Sequence, residues 1–293
     1  MKLLVTGGGG QVAEALRREL AKSGHPDYEI FSRSALDIGD QAAVNKVLRQ
    51  EGPDVVVNAA AFTAVDAAES AVDEAERVNG HGVEYLARAA IDIGARLVHI
   101  STDFVFDGSA STPIPPEAVP CPISVYGASK LLGEKACEEI LGDDQLVVRT
   151  SWVYDPGGRN FVATMLRLGE THPELRVVAD QFGAPTRAST IANVILAMVE
   201  KDVRGVHHVT DAGLTTWFDF AVSIFDIAVK VGILSQAPVV VPISTEEFPC
   251  AAARPRYSVL DTASARRACG VEFQYWRCNL ESAIASWNDG NVI

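Results

Sequence analysis

Short apolar runs alternate with longer amphipathic segments along the first half of the chain. Compact runs rich in Val and Ile indicate buried strands, whereas apolar residues three and four apart indicate helices that pack by one face. Strands are predicted at 2–6, 28–32, 54–60, 96–102 and 145–154, and helices at 11–24, 40–52, within 66–94, and at 126–141. This alternation is typical of a parallel sheet with helices on both faces.

The alternation weakens after residue 150. A helix is predicted at 189–200, and the proline-rich segments 236–244 and 253–261 are interpreted as connections. We therefore predict an α/β fold, with a Rossmann-type doubly wound parallel sheet in residues 1–150. Residues 151–293 are expected to form a smaller, interleaved C-terminal substrate lobe, with some segments returning to the sheet domain.

Composition narrows the class of protein. The chain has 293 residues, of which 48% are hydrophobic and 22% charged, as expected of a folded protein with a large core. Its net charge of -13 and lack of basic runs argue against binding nucleic acid. The first apolar run is too short for a signal peptide or a membrane-spanning helix, so we expect a cytoplasmic protein that makes no membrane contact.

Neither the cysteines nor the histidines predict a metal site. The five cysteines contain no C-x-x-C pair. His207 and His208 are adjacent, and neighbouring strand side chains point to opposite faces of a sheet. We expect no catalytic metal.

A glycine-rich segment joins the first strand to the first helix, where a dinucleotide pyrophosphate is commonly bound. Gly7-x-x-Gly10-x-x-Ala13 fits this motif, and Gly8-x-Gly10-x-x-Ala13 fits the older spacing equally well. A tight turn that binds no ligand is the alternative. The position between strand and helix favours a dinucleotide.

The end of the second strand bears on the choice of cofactor. It reads FSRS, with Arg33 and no acid. An acid there would bind an NAD ribose, whereas a basic residue suits the 2′-phosphate of NADP. NADPH is therefore favoured, with NADH as the alternative, although Arg33 also suits a solvated surface. Asp37 is a candidate adenosine contact or a cap for the next helix.

Several further motifs occur in a fixed order. They are TGGGGQV (6–12), LDIGD (36–40), VNAAAFTAVDAAE (57–69), STDFVFDG (101–108), YGASKLLGE (126–134), RTSWVY (149–154), DQFGAPT (180–186) and RPRYSVLDT (254–262). This series resembles the extended short-chain dehydrogenase/reductase superfamily and, within it, the dTDP-4-dehydrorhamnose reductase family. The resemblance covers nearly the whole chain.

The resemblance implies an active site made of Thr102, Tyr126 and Lys130. Tyr126 and Lys130 are four residues apart, so a helix would place them on one face; alternatively, Tyr126 packs on the core and Lys130 extends to water. A ketone becomes an alcohol by accepting a hydride on carbon and a proton on oxygen, and a tyrosine hydroxyl can supply that proton. We expect Lys130 to lower the pKa of Tyr126 and to bond the nicotinamide ribose. Thr102 would polarise the carbonyl, although it also suits a plain strand end.

The resemblance also implies contacts for the two ligands. Backbone amides of Gln11 and Val12 would bind the pyrophosphate. Asp37, Ile38, Ala61, Phe62 and Thr63 would line the adenosine and nicotinamide ribose. Asp103 and Trp152 would contact the sugar, although they also suit a turn and a core aromatic, respectively. Arg254 and Arg256 are candidates for the nucleotide diphosphate or for surface ion pairs.

The residues after Thr102 bear on the reaction. Nucleotide-sugar 4,6-dehydratases carry Thr-Asp-Glu there, whereas this chain reads Thr102-Asp103-Phe104 and lacks the glutamate base. Epimerases keep one NAD tightly bound, whereas a reductase must exchange its cofactor in every cycle. Because Arg33 suits NADPH better than NAD, it favours a reductase. The resemblance thus implies reduction of the 4-keto group of dTDP-4-dehydro-6-deoxy-L-mannose to dTDP-L-rhamnose. Alternatives are another nucleotide-sugar reductase or epimerase, or a regulatory subunit similar to that of methionine adenosyltransferase. Dimers are frequent in the superfamily, which leaves a homodimer open.

Overall fold

Six parallel strands form the centre of the computed structural model, which describes residues 1–288. The strands of the molecule are β1 (Leu3–Gly8), β2 (Tyr28–Ser32), β3 (Val55–Asn58), β4 (Arg96–Thr102), β5 (Leu146–Thr150), β6 (Val153–Tyr154), β7 (Glu174–Val178), β8 (Phe182–Gly183), β9 (Thr186–Arg187), β10 (Gly205–His208), β11 (Thr215–Thr216) and β12 (Val239–Ile243). The central sheet has the order β10-β5-β4-β3-β1-β2. All its neighbours pair in parallel, which confirms the predicted Rossmann-type sheet.

Helices cover both faces of this sheet. They are α1 (Gln11–Ser23), α2 (Gln41–Glu51), α3 (Val65–Ala68), α4 (Val72–Glu76), α5 (Gly82–Ile93), α6 (Val125–Leu141), α7 (Phe161–Gly169), α8 (Ala188–Glu200), α9 (Trp217–Lys230), α10 (Ala263–Cys269) and α11 (Trp276–Asn288). Leu3 and Val5 pack with α1 and α8, whereas Leu4 packs in a second core with α2 and α5. Because strand side chains alternate, one apolar run supplies both cores.

A separate apolar core joins α7, α9 and α11. Met165, Phe220 and Leu280 are its buried representatives. The helix α8 nevertheless packs against α1, and β10 pairs with β5 in the central sheet. The division into two domains at residue 150 stays a prediction.

The prediction of a mere connection at 236–244 is wrong. Residues Val239–Ile243 form β12, which pairs in parallel with β7. Pro242 lacks an N–H donor, and this two-stranded sheet consists of edge strands, where proline is tolerated.

The predicted strand at 145–154 is two strands in different sheets. β5 ends at Thr150, and β6 begins at Val153 and pairs with β9. Between them, Trp152 has a φ of 47°, in the left-handed region that few non-glycine residues adopt. The chain thus passes from the central sheet to another sheet through this left-handed residue.

The helical segment predicted within 66–94 is also interrupted. α3 and α4 are short, and a π-helical turn at Arg77–His81 joins α4 to α5. Such turns are frequently found at functional sites. In residues 1–288, no helix is long and apolar enough to cross a membrane.

Candidate active site

A cavity of about 1060 Å³ lies at the carboxyl ends of β1, β3 and β4. Every residue predicted to bind the cofactor lines it: Gly7, Gly10, Gln11, Val12, Arg33, Asp37, Ile38, Ala61, Phe62, Thr63, Tyr126 and Lys130. The carboxyl edge of a parallel sheet is where doubly wound folds bind ligands. The structure therefore brings these residues to one cavity, although binding itself stays a prediction.

The glycine loop has room for backbone but not for side chains. Gly7 has a φ of 78°, and a Cβ added there would lie 2.6 Å from backbone atoms of Ala59 and Ala60. Gly8 does not have a positive φ. Position 7 therefore requires glycine for two reasons. Its φ is positive, and its backbone lies too close to the segment after β3 to leave room for a side chain.

The start of α1 fits a dinucleotide pyrophosphate. Gly10 caps this helix without any side-chain hydrogen bond, and Gln11 and Val12 line the cavity. First-turn N–H groups at a helix N-terminus bind anions. Arg159 adds positive charge to the lining, whereas Arg18 is paired with Asp155 of the same lining.

A loop that sequence reasoning missed covers the same end of the cavity. Its residues 155–159, DPGGR, line the cavity. Gln11 anchors the loop, since its amide accepts from Asn160 Nδ2 at 2.7 Å and donates to Val153 O at 3.3 Å. Arg18 on α1 bonds the buried carboxylate of Asp155. In the sequence, the two adjacent glycines before Arg159 could have indicated a loop that binds a ligand.

Arg33 lies at the other end of the cavity in a network of charges. Its guanidinium donates to Glu74 at 2.8 Å, and 71% of its side chain is exposed. Arg77 bonds both Glu74 and Asp37. Burial raises the pKa of Asp37, but hydrogen bonds from Arg77 and the Gly39 amide outweigh it and hold that pKa below its usual value.

Asp37 does not cap the following helix, so that alternative is wrong. Asp40 is the cap of α2, and it accepts from the Ala42 and Ala43 amides at 2.9 and 3.1 Å. Asp37 instead accepts from the Gly39 amide within its own turn. The cap must directly precede the first helical residue, a place that Asp37 does not occupy.

Tyr126 and Lys130 lie one turn apart on α6, which confirms that the segment 126–130 is helical. Ser124 caps the helix by accepting from the Gly127 amide at 3.2 Å. The ring of Tyr126 meets Phe104 edge to face, with 5.6 Å between centroids. Both Tyr126 and Lys130 line the cavity. The amphipathic alternative for Lys130 is wrong, because this side chain is buried instead of reaching water.

The pKa of Tyr126 lies above its usual value, contrary to the expected lowering by Lys130. Burial raises the pKa of Tyr126 to about 12, Asp103 adds to the rise, and a hydrogen bond with Thr102 opposes it. Burial likewise lowers the pKa of Lys130 to about 8 against the pull of Glu134. Desolvation thus acts on both groups more strongly than their proximity. A neutral phenol is the form that can donate a proton.

Thr102 is the last residue of β4 and caps the 3₁₀ turn that follows, which Asp103 begins (Asp103–Val105). The Thr102 hydroxyl donates to the Asp103 carboxylate at 3.2 Å and accepts from the Phe104 amide. Asp103 is buried, and its Oδ2 has no hydrogen-bond partner among residues 1–288. Burial raises the pKa of Asp103 to about 6, while bonds with Ser258 and Thr102 oppose the rise. An unpartnered buried oxygen is well suited to accept a ligand hydroxyl.

A second cavity of about 610 Å³ meets this turn at Phe104. Trp152 lines it and stacks on Trp217, with 3.5 Å between ring centroids and 9° between planes. The backbone of Trp152 is left-handed, and strain of this kind clusters at functional sites. Trp152 is thus a cavity-lining aromatic that also packs on a neighbouring ring.

The two arginines near the C-terminal lobe differ. Arg254 lines the second cavity and pairs with Asp66 at 2.7 Å. Arg256 is exposed and pairs with Glu246 at 3.4 Å. Both arginines therefore form ion pairs, as the alternative interpretation expected. Of the two, Arg254 lines the second cavity.

Asn79, in the π-helical turn, is a positioning residue that sequence reasoning missed. Its amide accepts from the Phe62 amide at 2.8 Å and donates to the Phe62 carbonyl at 3.0 Å. It also donates to Ser129 at 3.0 Å. It therefore ties the segment after β3 to the helix that carries Tyr126 and Lys130.

A buried ion pair lies directly behind Lys130, and it too was missed. Arg149 bonds Glu134 at 2.7 Å, with side-chain exposures of 5% and 6%. Arg149 also donates to the Pro116 carbonyl and lies 5.2 Å from the centre of the Phe106 ring. It joins β5 and α6 to the loop between β4 and α6.

Metal ligation finds no support in the described part of the chain. No group of three or more His, Cys, Asp or Glu side chains there could hold a metal ion. His207 bonds the Arg204 carbonyl, and His208 bonds the Ile114 carbonyl.

Comparison with known proteins places this geometry among characterised relatives. The family model described as the RmlD substrate binding domain matches residues 1–288. The dTDP-4-dehydrorhamnose reductase of Burkholderia thailandensis is 44% identical over 290 residues, covering 94% of this chain and 96% of the relative.

Two crystal structures are also similar over almost the whole chain. The dTDP-4-dehydrorhamnose reductase from Clostridium acetobutylicum has a TM-score of 0.93 at 40% identity, covering 98% of this chain and 100% of the other. That of Bacillus anthracis, in complex with NADP, has a TM-score of 0.91 at 37% identity, with the same coverage.

Proposed function

The chain belongs to the dTDP-4-dehydrorhamnose reductase family, and from that membership we propose that it reduces the 4-keto group of dTDP-4-dehydro-6-deoxy-L-mannose with NADPH. The product is dTDP-L-rhamnose, so the enzyme acts in dTDP-rhamnose biosynthesis. The observation that carries the proposal is that Tyr126 and Lys130 line one end of a cavity built for a dinucleotide. The second cavity, which Phe104 joins to this end, would hold the nucleotide sugar.

The glycine loop, the start of α1 and Arg33 would hold the cofactor, which supplies a hydride when bound. Tyr126, whose raised pKa keeps it protonated at neutral pH, would donate the proton to the carbonyl oxygen. The Thr102 hydroxyl would orient that oxygen. Lys130 would bond the ribose next to Tyr126.

Phe104 supports a reductase over a dehydratase. Its ring contacts Tyr126 and lines the second cavity. A phenyl ring cannot remove a proton from the sugar, so elimination of water would lack its base.

Turnover of a 4-keto sugar tests the proposal directly. We expect NADPH oxidation that depends on dTDP-4-dehydro-6-deoxy-L-mannose, with dTDP-L-rhamnose identified by NMR. Tight NADPH binding without turnover of any nucleotide 4-keto sugar would contradict the proposal and favour the regulatory module. The cytoplasmic location and the homodimer stay predictions.

Arg33→Ala should weaken the binding of NADPH more than the binding of NADH. Only NADPH carries a 2′-phosphate, and losing one charge-assisted contact costs ~1.5–3 kcal/mol, or about ten- to a hundredfold in KM. The measurement is KM for each cofactor. Arg49→Ala is the matched control, because Arg49 forms a similarly exposed pair with Asp92 on α5. Equal effects of Arg33→Ala on the two cofactors would refute the assignment.

Activity should fall as the pH drops below about 6. The pKa of Asp103 is raised to about 6, so protonation below that pH removes the carboxylate that we assign to the sugar hydroxyls. In Asp103→Asn, kcat/KM should be about tenfold lower and this acidic decline should be gone.

Asp211→Asn is the control for that pH profile. Burial also raises the pKa of Asp211 to about 6, but its carboxylate bonds Thr190 and the Arg187 amide. The acidic decline should persist in Asp211→Asn. An unchanged decline in Asp103→Asn would assign it to another group.

A further inference from the structure

A row of buried polar side chains crosses the sheet behind Lys130. Thr6 on β1, Asn58 on β3 and His99 on β4 are register partners on neighbouring parallel strands. None of the three side chains is exposed to solvent. Side chains at one register position share a face of the sheet, so these three can form a continuous chain of hydrogen bonds.

The direction of the chain is set by groups that can only donate. The Ala60 amide donates to Asn58 Oδ1 at 3.2 Å and to Thr6 Oγ1 at 3.3 Å. Thr6 then donates its own proton to Asn58 Oδ1 at 2.6 Å. The nitrogen of the Asn58 amide must therefore face His99, whose Nδ1 lies 3.1 Å away. An amide NH₂ can donate but cannot accept a hydrogen bond, so His99 Nδ1 accepts from Asn58.

His99 is uncharged, because burial holds its pKa well below the usual value. A neutral imidazole carries one proton, and with Nδ1 accepting, that proton lies on Nε2. His99 Nε2 is 3.4 Å from Lys130 Nζ. An N–H cannot accept a hydrogen bond from an ammonium, whereas it can donate to an amine.

We propose that Thr6, Asn58 and His99 form a one-way donor chain that ends on Lys130 Nζ and favours its uncharged amine. His99 is thus a positioning residue for the lysine of the active site. The relevance to catalysis rests on the proposed function, but the tautomer does not. While His99 donates to it, the amine donates to the Ile100 carbonyl at 2.7 Å, which leaves one N–H for a ligand.

The other groups near Lys130 oppose this bias weakly. Glu134 favours the ammonium, but its carboxylate is already paired with Arg149 on β5. Cys137 is a neutral thiol, since burial raises its pKa to about 12. Tyr126 is neutral for the same reason. Burial lowers the pKa of Lys130 to about 8, so the ammonium still predominates at pH 7 and the amine form increases as the pH rises through 8.

The tautomer of His99 is measurable without substrate or turnover. In a two-dimensional ¹H–¹⁵N spectrum of the histidine-labelled protein, we expect His99 to be the Nε2–H tautomer. His208 is an internal reference of opposite sense, because its Nδ1 donates to the Ile114 carbonyl at 3.0 Å while Nε2 faces Arg149. An Nδ1–H tautomer, or a charged ring, at His99 would overturn the proposal.

His99→Met tests the effect on Lys130. Methionine has no N–H to donate to the amine and its sulfur is only a weak acceptor, so the bias toward the amine should be lost and the ammonium should become about tenfold weaker as an acid. The ¹³Cε resonance of labelled Lys130 reports this titration, and any alkaline limb of kcat/KM should move to higher pH by the same amount. An unchanged or lowered pKa would overturn the proposal. If this variant fails to fold, the His99 spectrum of the unaltered protein still decides, and a protein without turnover would contradict only the proposed reaction.

Discussion

Tyr126→Phe should lower kcat by ~10²–10⁴-fold, the range typical of losing a general acid. The variant removes one hydroxyl and keeps the ring contact with Phe104, so the fold and the cofactor cavity should be retained. The measurements are kcat with NADPH and the 4-keto sugar, and NADPH affinity by fluorescence titration.

Tyr85→Phe is the matched control for this variant. Tyr85 lies on α5, where its ring stacks with His81, and it has no place in our assignment of the reaction. Its turnover should equal that of the unaltered protein. Turnover of Tyr126→Phe within a few-fold of normal would contradict the role of Tyr126 as proton donor.

Arg149→Met should lower the free energy of unfolding by ~3–5 kcal/mol, the usual effect of removing one partner of a buried ion pair. The carboxylate of Glu134 would remain in a site where only 6% of its side chain is exposed. The loop bond to the Pro116 carbonyl would also be lost. Urea unfolding monitored by circular dichroism measures the change.

Two further variants distinguish the effect of burial on the free energy of unfolding from the effect of losing an ion pair. Arg176→Met breaks a pair of the same 2.7 Å length, with Glu247, whose side chains are 56% and 51% exposed; it should cost less than ~1 kcal/mol. In the double variant Glu134→Gln, Arg149→Met, neither position carries a charge, and most of the lost stability should return. Equal losses in Arg149→Met and Arg176→Met would show that burial does not govern this pair.

Much of the fold was predictable because its signals are local. The continuous apolar run of β1 identifies a strand buried on both faces, and Gly10 and Gly24 bound the first helix. The spacing of Tyr126 and Lys130 follows from helix geometry alone. The order of motifs, taken with the resemblance, then indicated that the candidate residues meet at the carboxyl edge of one sheet.

Other features depend on partners far away in the chain. The break at Trp152 accompanies its stacking on Trp217, and β12 exists because β7 lies beside it. Neither partner is visible from the local pattern. Desolvation likewise raised the pKa of Tyr126 where its spacing from Lys130 predicted the opposite.

Residue type and short-range spacing are sufficient to predict the parallel sheet, the glycine turn and the helix that presents Tyr126 and Lys130. Which polar groups are buried together depends on contacts that form only in the folded chain. Thr6, Asn58 and His99 become neighbours through the order and register of their strands, and Glu134 on α6 meets Arg149 on β5. The free energy of a buried charge or hydrogen bond depends on its partner and its distance from water, and both arise only when the chain folds.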